Sequence, residues 1–254
     1  MASTPAITIT VIYDNHPGDV QLQTAWGFAC LVEGLEQTIL FDTGGDGALL
    51  LRNMGALRID AGQIDVVVLS HVHQDHTGGL AAFLSENADV TVYLPASFPQ
   101  ALKDVVLASG AEVVAVAGPT GVCAGASVTG ELGTQPKEMG LLVEGPEGVL
   151  VITGCAHPGI VDIVAEARAP TGLPVDLVLG GFHLGNESAA RIGAIVEALT
   201  ALGVRRVAPG HCTGDLAIRR FEQAFGEDFI RIGVGSRVSV GLEVGPAATP
   251  KPRR

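Results

Sequence analysis

Val66-Val67-Val68-Leu69-Ser70-His71-Val72-His73-Gln74-Asp75-His76-Thr77-Gly78-Gly79 is the stretch that decides how this chain is read. Its apolar, β-branched opening predicts a strand over Asp65 to Leu69 that is buried on both faces. The polar cluster begins where that strand ends, the edge at which α/β proteins place their sites. Three imidazoles and one carboxylate follow within six residues. His71 and His73, two apart in extended chain, point the same way. Beyond them the chain turns, so Asp75 and His76 face the same point from the other side. Gly78 and Gly79 relax the backbone before a helix predicted over Gly78 to Leu84. Neutral imidazole nitrogen and carboxylate oxygen suit zinc, iron or manganese. One histidine in a loop reads as a surface residue; this spacing behind a buried strand reads as a metal site.

Working outward, Ile7 to Tyr13 alternates Ile and Thr and predicts a strand with one wet face. Phe28 to Val32 and Thr38 to Phe41 form a hairpin around Glu33-Gly34, closed by Asp42-Thr43-Gly44-Gly45 and a helix over Ala48 to Met54. Strand Val90 to Leu94, helix Pro99 to Ala108 and strand Glu112 to Ala117 follow the histidine cluster. Turn-rich strands over Val122 to Leu132 lead to a hairpin, Gly140 to Val143 and Gly148 to Thr153. Helix Ile160 to Ala167 ends at Arg168, a charge that suits the helix dipole. Strand Asp176 to Leu179, helix Glu187 to Leu202, strand Val204 to Ala208, helix Asp215 to Phe225 and a strand near Phe229 to Val240 complete the order. Strands come early with helices inserted, and then the theme repeats. That order predicts an α/β architecture of two packed sheets with helices outside. One domain over residues 1–245 is expected, with a Pro- and Ala-rich flexible tail at 246–254.

Composition narrows the partners. A net charge of −12, with Lys and Arg clustered only in Lys251-Pro252-Arg253-Arg254, argues against nucleic acid. It leaves room for a small phosphorylated molecule, because a bound cation reverses the local field. Cys30, Cys123, Cys155 and Cys212 form no C-x-x-C pair, and the start Met1-Ala2-Ser3-Thr4-Pro5 carries no export signal. A reducing, cytoplasmic setting is expected, with no membrane partner. Gly45-Asp46-Gly47 lacks the third glycine of a dinucleotide loop. Arg205-Arg206 reads as surface, with a phosphate contact left open.

His71, His73, Asp75 and His76, with Phe41-Asp42-Thr43-Gly44 before them and Pro209-Gly210-His211 after, resemble the metallo-β-lactamase superfamily from about Ile7 to Val240. The resemblance implies an αββα sandwich. It further implies that His71 and His73 serve one metal and that Asp75 and His76 serve another, joined by His211. Asp42 then supports the site from behind. The superfamily has one more histidine and an aspartate bridging both metals; here the strand Val149 to Gly154 leads to Cys155 instead, and Glu131 stands near the place of the missing histidine. Two segments, Thr153-Gly154-Cys155-Ala156-His157-Pro158-Gly159-Ile160 and Gly180-Gly181-Phe182-His183-Leu184, resemble the dihydropterin-methyl-ribofuranosylaminobenzene phosphate synthase group.

Cys155 has three readings: a thiolate ligand in place of the bridging carboxylate, a nucleophile paired with His157, or a small buried hydrophobe. His157 and His183 are expected to line the site as ligand or support, His157 as a candidate metal ligand, and Asp75 and His183 are the candidate catalytic groups. Glu131 is the candidate supporting carboxylate. His16 is read as a loop residue at the rim, and Cys30, Cys123 and Cys212 as packing residues. The loops around Asn15 and over Gln135 to Glu138 are expected to shape the pocket.

The expected function is a metal-dependent hydrolase or pterin-type synthase for a small phosphorylated substrate. One or two divalent ions are expected, zinc first, then iron or manganese. Such an ion activates water and polarises a phosphoryl or ester oxygen. Other readings are a di-iron redox protein and a metal-binding module without turnover.

Overall fold

The computed structural model describes residues 6–241. The expected boundary at residue 245 and the tail over 246–254 lie outside the described residues. Among the described residues, thirteen strands and seven α-helices are arranged in four layers. The first half supplies β1 (Ile7–Tyr13), β2 (Ala29–Glu33), β3 (Ile39–Phe41), α1 (Gly47–Leu57), β4 (Val66–Val68), α2 (Gln74–Thr77), α3 (Leu80–Glu86), β5 (Thr91–Pro95), α4 (Gln100–Ser109) and β6 (Glu112–Val116). The second supplies β7 (Thr120–Cys123), β8 (Ala126–Val128), β9 (Leu141–Gly145), β10 (Gly148–Thr153), α5 (Ile160–Thr171), β11 (Val175–Gly181), α6 (Ala189–Ala201), β12 (Arg206–Gly210), α7 (Asp215–Phe225) and β13 (Arg237–Val240).

The strands form a seven-stranded sheet, β13-β1-β2-β3-β4-β5-β6, and a six-stranded sheet, β12-β11-β10-β9-β8-β7. Their inner faces meet in a dry layer containing Ile9, Val11, Phe41, Val68, Ile152 and Leu179. A second apolar layer, with Leu50, Phe83 and Val106, fills the space between the first sheet and α1, α3 and α4. A third, with Ile163, Ile192 and Phe221, lies between the second sheet and α5, α6 and α7. Each sheet is therefore buried on both faces, which is why the central strands are nearly continuous runs of Val, Ile and Leu. The αββα sandwich expected from the sequence is the fold observed.

β1 departs from its expected half-wet alternation. Every residue of it but Thr8 is buried, and Thr10 is only 1% exposed. The reason is tertiary: Ile9 and Val11 face the central layer, while Ile12 and Tyr13 face the helical layer beneath α1. The histidine stretch also differs locally. A four-residue helix, α2, forms before Gly78, and α3 begins at Leu80.

Parallel pairing sets where the chemistry can be. β3 runs parallel to β4, and β10, β11 and β12 run parallel to one another. The carboxyl ends of these strands gather at one edge of the sandwich, and the polar loops that follow them converge there. The opposite end of the second sheet is pinned by charge. Asp176, buried at the start of β11, accepts from Arg206 through both oxygens, with Nη2 at 2.6 Å and Nε at 3.2 Å. Arg205 reaches the same carboxylate at 3.4 Å but is half exposed. This pair of arginines is thus engaged with protein.

Removing one partner of a buried ion pair leaves an uncompensated charge, whereas an exposed partner contributes little. Arg206→Ala is expected to destabilise the fold by about 3 kcal/mol. Arg205→Ala should cost less than about 1 kcal/mol. Equilibrium urea unfolding of the two variants checks the contrast.

Candidate metal centre

Asp42 ends β3 in a left-handed conformation, φ 56°, and is fully buried. That turn aims its carboxylate across to the end of β4. Its Oδ1 accepts from the Ser70 amide at 2.7 Å, and Oδ2 accepts from Ser70 Oγ and from His76 Nδ1, each at 2.7 Å. Because His76 Nδ1 donates to Asp42, its Nε2 points into the site. Ser70 has already given its one hydroxyl proton to Asp42. His71 Nδ1, 2.9 Å from Ser70 Oγ, must therefore donate, which leaves the His71 Nε2 lone pair free. One buried anion fixes two ring tautomers, directly at His76 and through a serine at His71.

The backbone locks these groups in place. Both the amide and the hydroxyl of Thr43 donate to the His76 carbonyl, at 2.8 and 2.9 Å. Gly154 closes the floor: a Cβ there would collide with the Ser70 side chain and sit 2.9 Å from Asp42 Oδ2. Only glycine lets β10 approach this closely.

A second buried carboxylate holds the opposite loop. Glu138 Oε1 accepts from the amides of Cys155 at 2.9 Å and Ala156 at 2.8 Å, and Oε2 accepts from the His157 amide at 2.8 Å. These bonds carry Ala156 through φ 61° and turn Cys155 and His157 inward. Burial pushes the Glu138 carboxyl up, against the three amides that favour its charged form.

Donor atoms gather in three groups, each with all members within 4.8 Å of one another. His71, His73 and His157 form the first; Asp75, His76, Cys155 and His211 the second; Cys155, His183 and Cys212 the third. In the first, His71 Nε2 lies 3.2 Å from His73 Nδ1. In the second, Cys155 Sγ is 3.2 Å and Asp75 Oδ2 3.5 Å from His76 Nε2, and His211 Nε2 is 3.3 Å from Asp75 Oδ2. His211 is oriented like its partners: Nδ1 faces Asn15 Oδ1 at 2.9 Å, while Asn15 Nδ2 donates to the His211 carbonyl at 3.1 Å. The Asn15 oxygen is therefore the acceptor, and His211 Nε2 is left pointing inward. Asp14 supports this turn from below, accepting from the His211 amide at 3.2 Å, and burial lifts its carboxyl to about 7.

The donor set fits a divalent metal. His157 Nε2 and His211 Nε2 are buried without a hydrogen-bond partner, a costly condition unless they meet a cation. Burial first, then neighbouring imidazoles, depress His71 far below the usual range and hold His157 at about 4. Both rings are thus neutral at pH 7, the form that ligates. His76 is the exception: burial opposes its charge, but the Asp42 carboxylate outweighs burial and lifts it to about 10. A proton on Nε2 there sits where a cation would.

The structure brings together His71, His73, Asp75, His76, Cys155, His157 and His211, with Asp42 behind them and His183 at the rim. It does not bring Glu131. That carboxylate accepts from the Ser97 amide at 2.6 Å and from Lys137 Nζ at 2.8 Å, away from the donor groups. Glu138 takes the supporting role expected of Glu131, because the Leu132–Glu138 bridge folds the loop so that Glu138 faces Cys155. Cys212, expected to be a packing residue, lies among the donors instead. Trp26, 61% exposed and 4.9 Å from the His211 ring between centroids, had no sequence signal.

Two outcomes follow from these supports. Asp42→Asn is expected to weaken zinc binding roughly 10- to 100-fold, because an amide cannot accept from His76 and Ser70 alike. Isothermal titration of the chelator-stripped chain reads this. The pH sign can also be worked out. His76 rises from 6.5 when unfolded to about 10 when folded, so its pairing stabilises fully below pH 6.5 and is lost as pH climbs through 10. In stripped protein, the melting-temperature gap between wild type and Asp42→Asn should narrow between pH 7 and pH 10.

Residues 27–211 match the metallo-β-lactamase superfamily. The chain is similar to the 7,8-dihydropterin-6-methyl-4-(β-D-ribofuranosyl)-aminobenzene-5'-phosphate synthase of Methanocaldococcus jannaschii, 30% identical over 258 residues, with 82% of this chain and 88% of that one covered. It is also similar to the crystal structure of a metal-dependent hydrolase of the β-lactamase superfamily, 28% identical, with a TM-score of 0.80 over 92% of this chain and 99% of that one. A diphosphatase of the PhnP family, 16% identical with a TM-score of 0.65 over 93% of this chain and 99% of that one, shares the fold. The chain belongs to the metallo-β-lactamase superfamily.

Proposed function

We propose that the chain is a metal-dependent enzyme that breaks a bond to a phosphoryl or ester oxygen of a small phosphorylated substrate, as a hydrolase or as a pterin-type synthase. The observation that carries this is the pair of donor groups joined by His71 and His76, whose ring protons are committed to Ser70 and Asp42 so that both Nε2 atoms face inward. His71, His73 and His157 would hold one ion; Asp75, His76, Cys155 and His211 would hold the other. Bound ions supply Lewis acidity and bring water toward ionisation at neutral pH.

The chain's own residues do the rest. Asp75, with its side chain 22% exposed, is the carboxylate at the mouth and can orient an incoming nucleophile. A cavity of about 540 Å³ opens at His211, lined also by Asn15, Trp26, His183, Glu187 and Asp215 among others. Among its described lining residues there is no Lys or Arg, so an anionic substrate depends on the ions and on backbone amides for charge. The amides at the start of α7 have no side-chain cap and open onto this cavity. Trp26 offers a flat wall against which a ring can stack. His183 stands exposed on the rim of this cavity.

The synthase named among the relatives makes a dihydropterin-methyl-ribofuranosyl-aminobenzene phosphate, and Trp26 at the cavity wall supports a ring-bearing substrate of that kind. In that case the aminobenzene partner would form the new bond to the pterin's methyl carbon and give up a proton, while the C–O bond to a diphosphate breaks and the diphosphate leaves with the electron pair. In hydrolysis water takes that place.

His73→Ala and His211→Ala are each expected to remove about one metal ion per chain and to lower turnover of a phosphodiester such as bis(4-nitrophenyl) phosphate at least roughly 100-fold. Elemental analysis and a colour assay read the two effects. A chain that takes up no zinc, iron or manganese would sink the proposal. Metal uptake without turnover of phosphodiester, lactone or pterin substrates would leave a binding module.

A further inference from the structure

The third donor group is not needed by either ion proposed above, apart from the sulfur it shares. Cys155, His183 and Cys212 place two sulfurs and one imidazole nitrogen within 4.8 Å of one another. Both thiols are buried, Cys155 at 3% and Cys212 at 7% exposure, while His183 stands on the rim of the cavity. Three strand ends deliver them: Cys155 follows β10, His183 follows β11 and Cys212 follows β12.

The surroundings are shaped for this group. Cys212 Sγ occupies the space that Gly181 leaves open; a Cβ on Gly181 would lie 2.8 Å from that sulfur and would also strike the Gly154 carbonyl. His183 takes a left-handed backbone, φ 53°, a conformation uncommon outside glycine. That turn sets its ring 4.2 Å, between centroids, from His157. The polar contacts of Cys212 lie within this group: its thiol faces the Cys155 sulfur and the His183 ring, and it touches the Cys155 carbonyl at 3.7 Å. Packing alone asks only for a small apolar side chain at position 212. It does not ask for a second thiol and a strained histidine beside the first thiol.

We infer that Cys155, His183 and Cys212 form a third cation position, selective for a soft divalent ion such as zinc, with Cys155 as a thiolate shared with the Asp75–His76–His211 site. It rests on the reading of the centre as a metal site. Two thiolates and an imidazole favour a thiophilic ion over magnesium, calcium or manganese. Bond lengths of about 2.3 Å to sulfur and 2.0 Å to nitrogen put tetrahedral ligands about 3.3–3.8 Å apart. The present spacing therefore closes with small side-chain rotations. Three protein ligands leave a fourth position, and here it faces the cavity lined by His183 and Cys212. A substrate heteroatom entering that cavity meets the ion directly, which makes this position a substrate-binding site.

The test uses the full chain, stripped with chelator and reloaded with cobalt(II), because cobalt reports thiolate ligands by an intense near-ultraviolet absorption. Wild type is compared with Cys212→Ser, Cys155→Ala and the exposed-rim variant His183→Ala, with circular dichroism confirming that each is folded. The expected result is three ions per wild-type chain. Cys212→Ser and His183→Ala should each hold two. The thiolate absorption should fall to about a third in Cys212→Ser, where two of three cobalt–sulfur bonds leave with the third ion, and vanish in Cys155→Ala once the shared ligand is gone. Two ions in wild type, with absorption unchanged in Cys212→Ser, would overturn the third position and leave the two-ion reading standing. No cobalt or zinc in wild type would overturn both.

Discussion

A single buried carboxylate organises the centre. Asp42 sits at zero exposure, where an isolated charge would be prohibitive, and is tolerated because two donors from Ser70 and one from His76 surround it. The cost of burying it is returned as geometry. Its oxygens dictate which nitrogen of His76 carries the proton, and through the single hydroxyl hydrogen of Ser70 they dictate the same for His71. A neutral residue at position 42 would leave both rings free to flip, and a ring that presents N–H cannot ligate. Everything farther into the site inherits this arrangement.

Glu138 does for the second sheet what Asp42 does for the first. One stands at the end of β3, the other in the loop before β9, and each spends a buried charge on fixing a loop that carries donors. The Met139 amide donates to the Ser70 carbonyl at 3.0 Å, so the two supports are tied across the seam between the sheets. The centre is therefore a property of the sandwich rather than of either half. Parallel pairing at β3–β4 and at β10–β11–β12 brings the carboxyl ends to one edge, and the three apolar layers hold that edge in register.

What the sequence discloses follows from how local each signal is. His71, His73, Asp75 and His76 are legible because four donors lie within one short stretch behind a buried strand. Asp42, His211, Cys155 and His157 are legible by resemblance and by their places at strand ends. Glu131 and Glu138 separate the local from the tertiary: they lie seven residues apart in one loop, and only the Leu132–Glu138 bridge decides which faces inward. Cys212 looks like packing because nothing near it in sequence is a donor except His211, while its neighbours in space, Cys155 and His183, are far along the chain. The fully buried face of β1 is hidden for a similar reason, since threonine at Thr10 reads as wet until the tertiary fold buries it.

Backbone strain marks the same boundary. Five non-glycine residues adopt positive φ among the described residues, and four of them, Asp42, Ala156, His183 and His211, belong to the donor shell or its supports. The fifth, Arg58, closes α1. Each such conformation costs about 1–3 kcal/mol and survives only where surrounding contacts over-determine it. Asp42 and Ala156 are held by hydrogen bonds already made within the protein. His211 is partly held, by Asp14 and Asn15. His183 has the weakest visible support, with an exposed ring. Its ring lies 4.2 Å from that of His157 and beside Cys155 and Cys212, so the least supported of the four conformations is the one that completes the third donor group.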